Sequence, residues 1–163
     1  FVYVPPTSAK TAEFVLQDDK DNDIYRTTIN LTGTPGITSL SLPATAPALE
    51  VGKDYLWYFS LVCQPKDRLE DVFVSAWVQR VQPTKTVTDA LKKVSARDRP
   101  NVYAQASLWY DTLSSLAELR RNNPNDARLT SDWTQLLNFV GLKQVSREPL
   151  SKQSSSTIGK SQS

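Results

Sequence analysis

Apolar side chains recur with a period of two through the first half of the chain and with a helical period through much of the second. The strongest strand pattern lies between Leu49 and Val81. One run places Tyr55, Trp57, Phe59, Leu61 and Cys63 on one face and Leu56, Tyr58 and Val62 on the other. A second run, Asp71 to Val81, carries Phe73, Val74, Trp77 and Val78. Both are rich in aromatic and β-branched residues, the signature of strands. A strand apolar on both faces is a central one covered on both sides, so Trp57 and Trp77 are expected in the core. The polar stretch Gln64 to Glu70, with Pro65, suits a hairpin connection.

Four shorter runs precede these. Phe1 to Val4 stops at Pro5-Pro6, and Ala12 to Gln17 alternates with Phe14 and Leu16 on one face. The acidic turn Asp18 to Asp23 leads into Ile24 to Leu31, and Ile37 to Leu42 is bounded by Gly36 and Pro43. Six strands at this spacing predict an antiparallel β-sandwich of immunoglobulin or fibronectin type. Leu49, Gly52 and Tyr55 have the spacing of the tyrosine corner that enters the penultimate strand of such folds.

After Pro83 the period changes. Val87, Ala90, Leu91 and Val94 mark a first helix, capped by Thr86 or Thr88. Asp98 opens a second, with Pro100 in its first turn and a stripe of Val102, Ala106, Trp109, Leu113, Leu116 and Ala117. Asn122-Asn123-Pro124 ends it. Leu129, Trp133, Leu136, Leu137 and Val140 give a third helix, with Gly141 as its left-handed cap. The second and third form a helical hairpin. The fold class is therefore α+β: a sandwich over 1–83, a three-helix segment over 84–150 packed on it, and a flexible Ser-, Lys- and Gln-rich tail over 151–163. The first helix is expected to cover the strand face bearing Leu56, Tyr58 and Val62.

Composition narrows the chemistry. The 163 residues include no His, no Met and one Cys, and 39% are hydrophobic against 22% charged. The commonest general base and metal ligand is missing, and one thiol makes neither an internal disulfide nor a thiolate metal site. Few thiols suit an oxidising compartment. No cofactor is implied. Net charge is +2, spread as −3 over residues 1–84, +2 over 85–142 and +3 over 143–163. No concentrated basic face interleaved with aromatics points to nucleic acid, and no apolar run reaches the ~20 residues of a transmembrane helix. Phe1 is not an initiator residue, so the chain is read as a processed or trimmed part of something longer.

Several residues invite a chemical reading. Asp19, Asp21 and Asp23 match the first three ligand positions of a calcium loop, but Ile24 stands where Gly is required and Asn30 where a bidentate Glu belongs. They are a weak calcium candidate in what is otherwise a solvated hairpin. Glu70 and Asp71 point to opposite sides of a strand and do not converge. Cys63 has no His to activate it and is read as a small buried hydrophobe. Trp109 and Tyr110, and the Arg120-Arg121 pair, are the candidates for a binding surface. Asn30-Leu31-Thr32 is a formal glycosylation sequon.

Ordered blocks carry a resemblance. Glu13 to Asp18, Pro35-Gly36-Ile37 with Ser39 to Pro43, Leu49 to Lys53 with Tyr55 and Trp57, Asp71 to Val74 with Trp77 and Gln79 to Val81, and Trp109-Tyr110-Asp111 with Leu116 to Arg121 and Asn123-Pro124 are the residues concerned. Together they resemble a cyanobacterial family known only as a domain of unknown function, DUF928, over about residues 1 to 150. The resemblance implies export to the periplasm or beyond. It carries no activity and no catalytic residues. The expected function is a non-catalytic extracytoplasmic module for binding or assembly with a protein partner. The rival is a carboxylate-dependent hydrolase or carbohydrate-binding protein.

Overall fold

The period-two segments fold as six strands in a computed structural model that describes residues 1–151. These are β1 (Val2–Val4), β2 (Thr11–Gln17), β3 (Asp23–Asn30), β4 (Gly36–Thr38), β5 (Asp54–Val62) and β6 (Val72–Gln79). β1 pairs with β4, and a four-stranded sheet runs in the order β3-β2-β5-β6, every pairing antiparallel. The β1–β4 ladder ends at Thr38, short of the expected Leu42, and Leu40 packs against the core instead. The tail expected from residue 151 onward lies, beyond Ser151, outside the described residues.

Register explains where the core forms. Ala12 stands opposite Ile29 and Leu61, Phe14 opposite Thr27 and Phe59, and Leu16 opposite Tyr25 and Trp57. Directly opposed residues share a face. The buried cluster joins that face, through Ala12, Ile29, Phe59 and Leu61, to Val4 of β1 and to Ala9. The two tryptophans fare differently from expectation. Trp57 is only half-buried, stacked against Phe14 with ring centroids 6.4 Å apart. Trp77 is 59% exposed. Position in the sheet is the reason: Trp57 is on an interior strand and shares the face of Phe59 and Leu61, whereas Trp77 is on an edge strand and stands opposite Leu56 on the other face.

The turn into β5 has the predicted corner. The Glu50 N–H donates to the Tyr55 hydroxyl at 3.0 Å, and Gly52 takes φ +82°, where a side chain is strained. The Gly52 N–H donates to the Arg80 carbonyl at 2.8 Å, and the Arg80 guanidinium donates to the Leu49 carbonyl at 2.9 Å. The corner thus ties the start of β5 to the end of β6. Tyr55→Phe should cost about 1 kcal/mol, the net worth of one hydrogen bond, read as a lower urea midpoint at unchanged slope.

Residues 83–150 form a separate compact unit. Four helices occur here, not three: α1 (Lys85–Lys93), α2 (Arg99–Gln105), α3 (Trp109–Asn122) and α4 (Ala127–Phe139). The long helix expected after Asp98 breaks at Ser107, which takes φ 57°. The Ser107 N–H donates to the Ala104 carbonyl and the Leu108 N–H to the Tyr103 carbonyl, both at 3.0 Å. That is a Schellman ending with serine in the place glycine usually takes. The apolar stripe keeps its period across the break, which hides it. Thr84, not Thr86 or Thr88, caps α1, its hydroxyl accepting from the Val87 N–H. A cap sits in extended backbone just outside the first turn, and Thr86 and Thr88 are already helical.

α4 begins on Asp126, whose carboxylate accepts from the Arg128 and Leu129 N–H groups at 2.9 and 3.1 Å. It ends on Gly141 at φ +83°, with the Leu142 N–H donating to the Leu137 carbonyl at 2.8 Å. The Arg97 guanidinium, 2.8 Å away, and then the Leu129 N–H hold the Asp126 carboxyl below the usual carboxylate range. A carboxyl depressed in the folded state stabilises fully above its unfolded value, about pH 4, and loses that effect as pH falls through the folded value. Asp126→Ala should therefore lower the melting temperature at neutral pH and flatten its decline on acidification, followed by circular dichroism.

Candidate functional site

The proposed aromatic and basic residues do not converge. Trp109 and Tyr110 open α3, and Arg120 and Arg121 lie in its last turn. A rise of ~1.5 Å per residue separates the two pairs by roughly 16 Å. Trp109 is half-buried and Tyr110 is exposed at the rim. The Arg120 guanidinium lies over the Trp133 ring, 5.2 Å from its centroid, a cation–π contact across the α3–α4 hairpin. Burial draws both guanidinium pKa values down from their ordinary range. Arg120 is therefore a packing element of the hairpin more than a cation presented to a ligand.

The acidic hairpin is organised by Asp18 rather than by the three candidate ligands. One Asp18 oxygen accepts from the Lys20 and Asn22 N–H groups, each at 2.9 Å, and Asn22, side chain first, holds this carboxyl below its ordinary value. Asp23 turns to the Gln17 amide and the Arg26 guanidinium. Asp19 and Asp21 are exposed, Asp21 with φ 61°. Among the described residues, no three of His, Cys, Asp or Glu gather as a metal site.

Glu70 and Asp71 are engaged separately. Glu70 accepts from the Gln64 amide at 2.7 Å. Asp71 accepts from the Cys63 N–H at 3.1 Å and pairs with Arg68, which also reaches Glu13. Glu13 bridges on to Arg26 at 2.8 Å. Cys63 itself is exposed, not buried: it falls one residue past β5, in the turn that Asp71 closes.

Each unit has a cavity. One, of ≈290 Å³, lies in the β unit between Val4, Asn30, Thr32, Thr34 and Thr38, with no ionisable side chain in its lining. The sequon residues Asn30 and Thr32 are on its wall. The other, of ≈310 Å³, lies in the helical unit, where Asp132 is the one carboxylate among the lining residues, which also include Arg97, Asn101 and Gln135.

The feature absent from the sequence reading is the exposure of β6 at the sheet edge. Val72 and Val74 are 62% and 49% exposed on one face, and Phe73 and Trp77 are 60% and 59% exposed on the other. The Phe73 ring sits 6.1 Å from Tyr58 on β5, so the patch continues inward across the sheet. Singly exposed apolar residues are ordinary, whereas four on one edge strand leave apolar surface on both of its faces. Apolar residues in a strand pattern predict burial, and a sequence does not reveal which strand is at the edge.

The family described as Domain of Unknown Function (DUF928) matches residues 1–150. No curated protein and no solved structure matches the chain.

Proposed function

The chain belongs to the DUF928 family, and on that premise we propose that it is a non-catalytic binding or assembly module built on an immunoglobulin-like β-sandwich. Two features support the fold reading. A four-stranded sheet of two hairpins, β2–β3 and β5–β6, joined through β2 and β5, has the order of the C′-C-F-G sheet of variable-type domains, and β1–β4 stands as the opposing B–E pair. The tyrosine corner enters β5, the strand that corresponds to F. The proposed place of work is extracytoplasmic, in a cyanobacterial envelope, on the strength of the family resemblance and the scarcity of thiols. Among the described residues no helix is long and apolar enough to cross a membrane.

The observation that carries the binding reading is the apolar edge strand, with Val72, Phe73, Val74 and Trp77 half or more exposed. Natural sheets blunt such edges with charges, proline or bulges unless the edge is used. A carboxylate-dependent hydrolase would require two opposed carboxyls around a substrate, and Asp132 is alone in the helical cavity. The test is capture of native partners by the immobilised full chain. Wild type should retain a discrete protein that Val74→Lys, exposed at the edge, does not. Turnover of a glycoside or ester panel by wild type, abolished in Asp132→Asn, would put the hydrolase ahead.

A further inference from the structure

We propose that the outer edge of β6 pairs with β6 of a second copy of this chain, antiparallel about a two-fold axis at Ser75, joining two four-stranded sheets into one of eight. The proposal rests on the binding or assembly reading above and names its partner. β6 is the last strand of its sheet, and among the described residues no strand pairs with its outer side. Its eight residues, Val72–Gln79, contain no charge and no proline, and its pairing with β5 runs without a register shift. The opposite edge is protected in the ways β6 is not. β3 carries Asp23 and Arg26, and its ladder with β2 is broken by an irregularity at Leu16/Gln17.

The pattern along β6 is self-complementary, which is why the partner is a second copy. In a two-fold antiparallel pair, directly opposed residues share a face. Centred on Ser75, Phe73 of each copy stands opposite Trp77 of the other, on the face shared with Leu56 and Ser60. On the other face Val72 meets Val78 and Val74 meets Ala76. Aromatic cross-strand pairs are among the favourable ones. The neighbouring registers lose this match. Centring on Ala76 puts Phe73 opposite Gln79 and Val72 opposite Arg80, and centring on Val74 puts Trp77 opposite Asp71.

The experiment is sedimentation equilibrium of the full chain over a dilution series, with disulfide trapping to fix the register. The full chain should approach twice its 18.2 kDa mass on concentration. Val74→Lys should melt like wild type and remain at 18.2 kDa. In a Cys63→Ser background, oxidised Ser75→Cys should cross-link to its own copy, because directly opposed Cα atoms lie roughly 4.5–5.5 Å apart, within disulfide reach. Phe73→Cys should not cross-link with itself, being displaced from its own copy by four residues or ~13 Å, but should do so when mixed with Trp77→Cys. A single 18.2 kDa species at every concentration overturns the proposal. So does a dimer in which Phe73→Cys cross-links with itself and Ser75→Cys does not. If the chain stays monomeric while Val74→Lys still abolishes capture of a native partner, self-pairing falls and the binding reading stands.

Discussion

Trp133→Ala is expected to destabilise residues 83–150 by about 3–5 kcal/mol, the cost of deleting a large aromatic from a packed core. Trp133 is 0% exposed and is the largest fully buried side chain among the described residues. It lies on α4 among the buried Leu129 and Leu137, and faces an α3 surface whose buried residues are Thr112, Leu113, Leu116 and Ala117. Its ring also supports Arg120, so truncation leaves a half-desolvated guanidinium without its aromatic neighbour. A helical unit of this size has only a few kcal/mol of stability to lose. Helical circular dichroism should then melt without a cooperative step, whereas Trp133→Phe should keep the step at a lower midpoint. A shift under ~1 kcal/mol in urea would mean that the hairpin is not organised around this residue.

Phe59→Ala should cost the β unit a similar ~3–5 kcal/mol. Phe59 is 3% exposed on an interior strand, opposite Phe14 on one side and Val74 on the other. It belongs to the cluster that reaches from the large sheet to Val4 of the small one. Trp57→Ala should cost less, about 2 kcal/mol, since its ring is partly buried at the margin of that cluster and not within it. Trp77→Ala should lie within ~0.5 kcal/mol, as surface substitutions do. This ranking runs opposite to the one side-chain size alone would give. Chemical denaturation of the three variants, monitored by far-ultraviolet circular dichroism, checks it; equal losses at Phe59 and Trp77 would place β6 inside the core.

Much of the architecture was legible in local pattern. Period-two alternation located six strands, Gly52 and Tyr55 located the corner, and Gly141 located the end of α4, because each depends on a short stretch of chain. What was not legible depended on the partner of that stretch. Trp77 and Trp57 both sit in apolar runs, and only the strand order and register separate them: Trp57 is on an interior strand on the face of Phe59, and Trp77 is on an edge strand, opposite Leu56 on the other face. Cys63 looked like a strand residue until Asp71 closed a turn on its N–H. The break at Ser107 escaped because a serine occupies a left-handed position and the stripe from Val102 to Leu113 keeps its phase. The candidate pairs at either end of α3 were chosen by residue type, and helix rise alone keeps them apart.

The central claim is that the β6 edge pairs with β6 of a second copy, and hydrogen exchange reads it at that strand. The full chain should be labelled at low and high concentration and compared peptide by peptide. The account predicts that outward-facing amides within Val72–Gln79 become protected on concentration, while those of β3 at the other edge exchange at an unchanged rate. Exchange in β6 that is independent of concentration, or protection appearing at β3 instead, would contradict it.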